Sequence, residues 1–327
     1  MLKDKANSDL PDFKIMKLKS YYCLVLCLSL AFSAAAQPAK EKTDAALQAK
    51  LEALTRNFGG TVGIYVRHLK TGRTAAVNAD TLFPTASLVK VPIMVGLFDK
   101  INRGELDYHA TLTFRDSIRQ FYPGDDEGLT AQLRDSAQVP LSKLVMLMIT
   151  LSDNVASLWC QQLAGTGTHI NGWLAANGYK HTRVNSKTPG READRKNYGW
   201  GQTTPREMAE LLVAIREGRA VSPAASERMY RNLIRIYWDG EALSQIPPYV
   251  QAASKQGAVN QSRSEVVLVN APGGDYAFCV ITKNQRDESW EHNNAGFVLL
   301  RDVSRTLWNH FEPKSGWKPA TDGEKYQ

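Results

Sequence analysis

Phe83-Pro84-Thr85-Ala86-Ser87-Leu88-Val89-Lys90-Val91-Pro92 is the stretch from which the rest of the chain can be ordered. From Ser87 to Asn102 the residues are apolar on nearly every side, and the run stops before Gly104. A helix that is apolar all round is a buried one. Ser87 and Lys90 are three residues apart, so hydroxyl and amine share one helix face. Desolvation favours the neutral form of a lysine in such a helix and makes Lys90 a plausible base for Ser87. The serine also stands near a helix N-terminus, where backbone N–H groups favour developing negative charge. Alone, the spacing also fits a capping serine and a snorkelling lysine.

Two further short motifs follow in order. Ser152-Asp153-Asn154 comes after an apolar run, Leu141 to Ile149. Its serine can relay a proton to a leaving nitrogen, and its asparagine amide can orient a lysine and a substrate amide. The same three residue types are also preferred helix caps. Lys255-Gln256-Gly257 is read as the end of a strand near the C-terminus. Lys255 offers a fixed positive charge to a substrate carboxylate, and Gly257 leaves the strand edge open. Ala258 can donate its N–H, with that of Ser87, to an oxyanion.

Taken together, the three motifs are similar to the Ser-x-x-Lys, Ser-Asp-Asn, Lys-Thr-Gly set of class A β-lactamases and penicillin-binding proteins. The flanking Phe83-Pro84-Thr85-Ala86, Val91-Pro92 and Thr203-Thr204-Pro205 also look like residues of that superfamily. The resemblance implies an α/β (α+β) serine β-lactamase-like fold, with Ser87 acylated, Lys90 and Ser152 moving protons, and Asn154, Lys255, Gln256, Gly257 and Ala258 holding substrate. Its leading activity is opening of β-lactam rings. The alternatives are a penicillin-binding D,D-peptidase acting on cell wall peptides and a β-lactam-binding sensor without turnover.

Two positions depart from the pattern. Thr188, followed by Pro189, stands where the class A enzymes carry the glutamate that activates the deacylating water. Glu192 and Asp194 lie a few residues on; either replaces it if the loop is rearranged, or both are solvated loop charges. Gln256 stands where the family has Ser or Thr, which changes the contact to a substrate carboxylate. Arg263 resembles the arginine that some members use for that carboxylate, with a surface arginine in a turn as the alternative. A missing base implies slow deacylation.

The remaining patterns fit around these motifs. Ala46, Leu47, Leu51, Leu54 and Phe58 have helical spacing, and Thr61 to Arg67 and Thr74 to Val77 read as a hairpin. Val155 to Leu163 and Pro205 to Arg216 also read as helices, the latter with Thr204 as cap and Pro205 in the first turn. Between Arg183 and Thr203 there is no periodicity, which reads as a long loop, either functional or disordered. Tyr249 to Ala253, Glu265 to Asn270 and Tyr276 to Thr282 read as strands, and Val298 to Phe311 as a closing amphipathic helix. The expected architecture is one antiparallel sheet flanked by the terminal helices, with an all-helical insertion. Its α/β part covers about 43–84 and 205–312, its helical part about 85–204, within a catalytic domain at 37–318 and ahead of a tail at 319–327.

The N-terminus reads as a leader. Met16 precedes Lys17-Leu18-Lys19, an apolar run from Tyr21 to Phe32 and the small residues Ala34-Ala35-Ala36, so residues 1–36 are expected to be removed on export to the periplasm or exterior. The run is too short to span a membrane, which takes about 20 residues, and no stable anchor is expected afterwards. The formal charge is +7; the leader holds five Lys against three Asp, leaving +5 spread without a basic block. That distribution gives no reason to expect a nucleic-acid partner. The six histidines are scattered without ligand spacing, so no metal or other cofactor is expected. A monomer with a small-molecule or peptide substrate is the expected state. Cys160 and Cys279 are left to pair or to stay as buried thiols.

Overall fold

The computed structural model describes residues 41–120, 122 and 128–320; the expected leader and most of the expected tail lie outside them. The described residues form one compact unit. The chain opens with β1 (Lys42–Thr43) and helix α1 (Ala45–Thr55), followed by the hairpin β2 (Thr61–His68) and β3 (Arg73–Val77). Asp44 caps α1 by accepting from Leu47 N at 3.1 Å. A short β4 (Phe83–Pro84) leads into a single 3-10 turn, Ala86–Val89, and then into α2 (Lys90–Asn102). The apolar run from Ser87 is therefore not one helix. It tightens at its start, so Ser87 lies on the 3-10 turn and Lys90 begins the α-helix.

The helical part continues with β5 (Thr111–Thr113), α3 (Asp116–Arg119), β6 (Gln138–Pro140), α4 (Leu141–Thr150), α5 (Asn154–Leu163) and α6 (Thr166–Ala176). The stretch expected to be a bare loop contains β7 (Arg183–Val184), α7 (Glu192–Tyr198) and β8 (Gly201–Thr203). Helix α7 buries none of its residues, so it leaves no apolar period in the sequence. Next come α8 (Pro205–Arg216) and α9 (Pro223–Leu233), each with a proline in its first turn and a hydroxyl cap, Thr204 and Ser222.

The chain ends in β9 (Ala252–Val259), β10 (Ser262–Val269), β11 (Tyr276–Lys283) and α10 (Ala295–Phe311). The main sheet has the order β1-β3-β2-β11-β10-β9, antiparallel except for the short β1–β3 pair. Strand β9 differs from its sequence reading. It starts at Ala252 and runs through Lys255, Gln256 and Gly257, while Tyr249 is exposed and outside it. Polar residues carrying chemistry along an edge strand hid its alternation.

Two cores hold this arrangement. One packs α1 and α10 on the outer face of the sheet, through Leu47, Leu51, Phe278, Val303 and Trp308. The other fills the space between the sheet and the helices, through Phe83, Leu97, Leu144, Trp159 and Leu212. Burial of this apolar area is the main stabilising contribution. Cys160 and Cys279 are both free and buried, and burial raises both thiols.

Candidate active site

The nucleophile turn is held by backbone contacts on both sides. Thr85 N donates to Gly201 O at 2.9 Å, tying the start of the turn to β8. Ala86 then takes φ 43°, a left-handed value that side chains with a Cβ adopt at a cost. That residue bends the chain so that Ser87 faces Lys90, whose Nζ is 3.1 Å from Ser87 Oγ. Lys90 is fully buried.

The second motif arrives from the junction of α4 and α5. Ser152 also has a left-handed backbone, φ 60°. Asp153 caps α5 by accepting from Ala156 N at 2.8 Å and also accepts from Thr130 N at 2.8 Å. The capping and chemical readings of this motif are therefore both present, divided between neighbours. Asp153 fixes the backbone, and Ser152 and Asn154 turn to the lysine. Lys90 Nζ lies 3.0 Å from Ser152 Oγ, 2.5 Å from Ser152 O and 2.9 Å from Asn154 Oδ1. With Ser87, four oxygens stand within reach of one nitrogen. An ammonium has three protons and no lone pair, so it can donate to only three of the four at once, and a hydroxyl can donate to this nitrogen only when the amine is neutral. The geometry accommodates proton exchange among Ser87, Lys90 and Ser152.

The third motif closes the site from the sheet. Lys255 is fully buried, and its Nζ is 3.0 Å from Ser152 Oγ and 2.8 Å from Gln256 O. Burial, then the neighbouring Lys90, push its amine well below the ordinary lysine range, against a smaller opposing pull from Glu265. Glu265, in register with Gln256, is buried and accepts from Ser254 Oγ at 2.7 Å and Ala242 N at 2.9 Å. Burial pushes its carboxyl up to about 7.

Gly257 has a role beyond leaving the edge open. A Cβ there would stand 2.8 Å from Ser87 N and 2.9 Å from Thr85 O, so only glycine lets β9 lie against the nucleophile turn. The next residue, Ala258, lines the same cleft as Ser87. Since β9 is an edge strand, its outward N–H groups face the cleft rather than a neighbouring strand.

Not every sequence candidate joins this cluster. Glu192 is exposed and turns back on its own loop to accept from Gly190 N at 3.1 Å. Asp194 pairs with Arg191 at 2.9 Å. Thr188 is buried, donates to Ser186 O at 2.9 Å and packs on Gly167 of α6. Arg263 is buried, not a surface residue, but its guanidinium donates to the carbonyls of Val259, Ser262 and Ser289. It also stacks on Trp290 and Phe297. These contacts make Arg263 a brace of the β9–β10 turn, and neither Arg263 nor Glu192 lines the cleft.

Residues missed in the sequence also line it, among them Tyr122, Trp200, Ser262 and Lys283. The Trp200 ring lies 5.9 Å from Lys90 Nζ and meets Tyr122 edge-on. Its placement follows from two glycines. Gly199 ends α7 with φ 69°, and a Cβ at Gly201 would press on Val89 and Thr85. An aromatic residue between two glycines was the signal available for it. The cleft has a volume of about 590 Å³ and, among the described residues, no carboxylate lines it. Also among the described residues, no group of three His, Cys, Asp or Glu is placed to hold a metal, and no helix is long and apolar enough to cross a membrane.

Comparison with known proteins agrees with this geometry. The profile described as "Beta-lactamase enzyme family" matches residues 46–311. A β-lactamase of Streptomyces albus G is 28% identical over 268 residues, covering 79% of this chain and 82% of its own. The β-lactamase VEB-1 of Pseudomonas aeruginosa is 20% identical over 307 residues, covering 90% and 99%. Among solved structures, PBP-A superposes with a TM-score of 0.73 at 25% identity, over 84% of this chain and 98% of that one. The β-lactamase of Sphaerobacter thermophilus gives 0.70 at 25% identity, over 81% and 96%. With the profile spanning most of the chain and its motif residues gathered around one cleft, the protein belongs to the β-lactamase enzyme family, within the class A β-lactamase and penicillin-binding protein superfamily.

Proposed function

We propose that the protein is an exported serine hydrolase that opens β-lactam rings through an acyl-enzyme on Ser87 and releases the product slowly. The observation that carries this reading is Lys90 Nζ, placed 3.1 Å from Ser87 Oγ and 3.0 Å from Ser152 Oγ. Ser87 Oγ attacks the lactam carbonyl while its proton passes to Lys90. The developing oxyanion takes hydrogen bonds from Ser87 N and Ala258 N. The C–N bond then breaks, and the nitrogen receives its proton from Ser152 Oγ, which is refilled from Lys90. An ester to Ser87 remains. Lys255, beside the Gln256 amide, receives the carboxylate on the leaving side, and the arriving anion favours the charged form of its amine.

Slow deacylation is supported by the cleft wall. A hydrolytic water needs a base, and no carboxylate lines the cleft among the described residues. That composition, with the likeness to PBP-A, favours one second reading: a D,D-peptidase acting on cell wall peptides. A mutant of PBP-A has been solved as an acyl-enzyme complex with penicillin G.

The test mixes the purified protein with a chromogenic cephalosporin and follows colour and intact mass together. A burst with a persistent adduct on Ser87 is expected, and Ser87→Ala should lose both. Sustained turnover would overturn slow deacylation and require a base. Absence of both colour and adduct would reject Ser87 as nucleophile. Release of D-alanine from a cell wall peptide would move the assignment to the peptidase.

A further inference from the structure

The cleft continues past Ser87 on the side away from Lys255. It follows the edge of β9 beyond Ala258 and Val259 to the β9–β10 turn, where Ser262 and Lys283 form part of its lining. A substrate whose leaving side faces Lys255 must lay its acyl portion along this arm. The arm is therefore where the part that stays attached to Ser87 is recognised.

Two polar groups there are unlike the rest of the wall. Lys283 is half-buried at the end of β11, and its Nζ is fixed by Leu82 O at 2.8 Å and by the face of Phe83 at 4.9 Å. It makes no ion pair among the described residues, and no carboxylate lines the cleft among them. One carbonyl takes one of the three ammonium protons, which leaves donors for a ligand. Ser262 is 1% exposed, and its Oγ has no hydrogen-bond partner. A buried hydroxyl without a partner is costly unless something supplies one.

We infer that Lys283 and Ser262 form an anion-accepting subsite for the acyl side chain, so that substrates bearing a carboxylate on that side chain are preferred. This rests on the reading that Ser87 is acylated by β-lactams. A cation held against a carbonyl and an aromatic face is already positioned when the anion arrives. It therefore gains a charge-assisted hydrogen bond with little further ordering.

The test uses the protein purified after export, with benzylpenicillin and carboxybenzylpenicillin as probes. The two differ by one carboxylate on the side chain. The quantity read is the ratio of their second-order acylation rate constants, from intact-mass time courses. Lys283→Met should lower the carboxylated-to-neutral ratio about tenfold, Lys283→Arg should retain most of it, and Ser262→Ala should lower it by a smaller factor. Ser262→Ala also reads the same ratio if Lys283→Met does not fold. Equal ratios in wild type, Lys283→Met and Ser262→Ala would overturn the subsite while leaving acylation of Ser87 intact. No adduct with either penicillin in the wild type would instead overturn the acylation reading, and the subsite with it.

Discussion

Lys90 and Lys255 converge on one atom: each Nζ lies 3.0 Å from Ser152 Oγ, one reaching it from the helical part and the other from the sheet. Two buried amines on a single hydroxyl cannot both hold a full charge without strong repulsion. Ser152 Oγ thus stands within hydrogen-bond reach of both amines, which is the geometry that the proposed proton relay through Ser152 requires.

Removing that joint is the most direct test of the relay. Ser152→Ala should slow acylation by about 10²-fold, the scale of a lost proton-transfer group. It should also destabilise the fold by about 1–3 kcal/mol, because two buried donors lose a shared partner. Stopped-flow acylation and urea unfolding measure the two effects. Acylation unchanged in a folded variant would rule out Ser152 as the relay.

Gly257→Ala separates backbone geometry from side-chain chemistry. The added Cβ would stand 2.8 Å from Ser87 N, displacing the amide proposed for the oxyanion. Acylation should fall by about 10²-fold, as when an oxyanion donor is lost, with Ser87, Lys90 and Ser152 all still present. A variant that acylates at the wild-type rate would show that the turn can move without consequence.

Restoring a carboxylate by sequence alignment alone should fail. Thr188 is buried and its side chain packs on Gly167, so Thr188→Glu forces a longer, charged group into the helical part. The expected cost is about 2 kcal/mol or more, without faster loss of the acyl adduct. Thermal unfolding and the adduct lifetime decide it; a shortened lifetime would mean that the position reaches the ester.

Glu265 supplies a pH signature. Its carboxyl is raised from 4.5 to about 7 in the folded state. A raised acid contributes stability that is full below the unfolded value and lost as pH climbs through the folded one. Wild type should therefore weaken relative to Glu265→Gln between about pH 5 and pH 8, by about 1–3 kcal/mol. Urea midpoints at the two pH values check the sign, and a difference that does not change with pH would reject it.

The chemistry-bearing triplets were legible because each is local. Ser87 and Lys90 are one helical turn apart, and Asp153 beside Ser152 and Asn154 is both cap and anchor. The apolar periods likewise located α1, α2, α4, α5, α8 and α10. Helices α3, α6 and α9 and the exposed α7 went unread, α7 because it buries nothing. Strand β9 was read too short because its functional residues break alternation.

What the sequence alone determined is the local pairing of candidate groups, Ser87 with Lys90 and Ser152 with Asn154, since residue type and spacing of three or fewer fix local geometry. Only the tertiary structure decided which distant groups join them. It set Lys255 on Ser152 across 103 residues, placed Trp200 over Lys90 and brought Lys283 to the far arm of the cleft. It also withdrew Arg263 into carbonyl contacts and left Glu192 on the outside. Those outcomes depend on how close the strand edge, the nucleophile turn and the loop can pack, which the glycines at 201 and 257 permit.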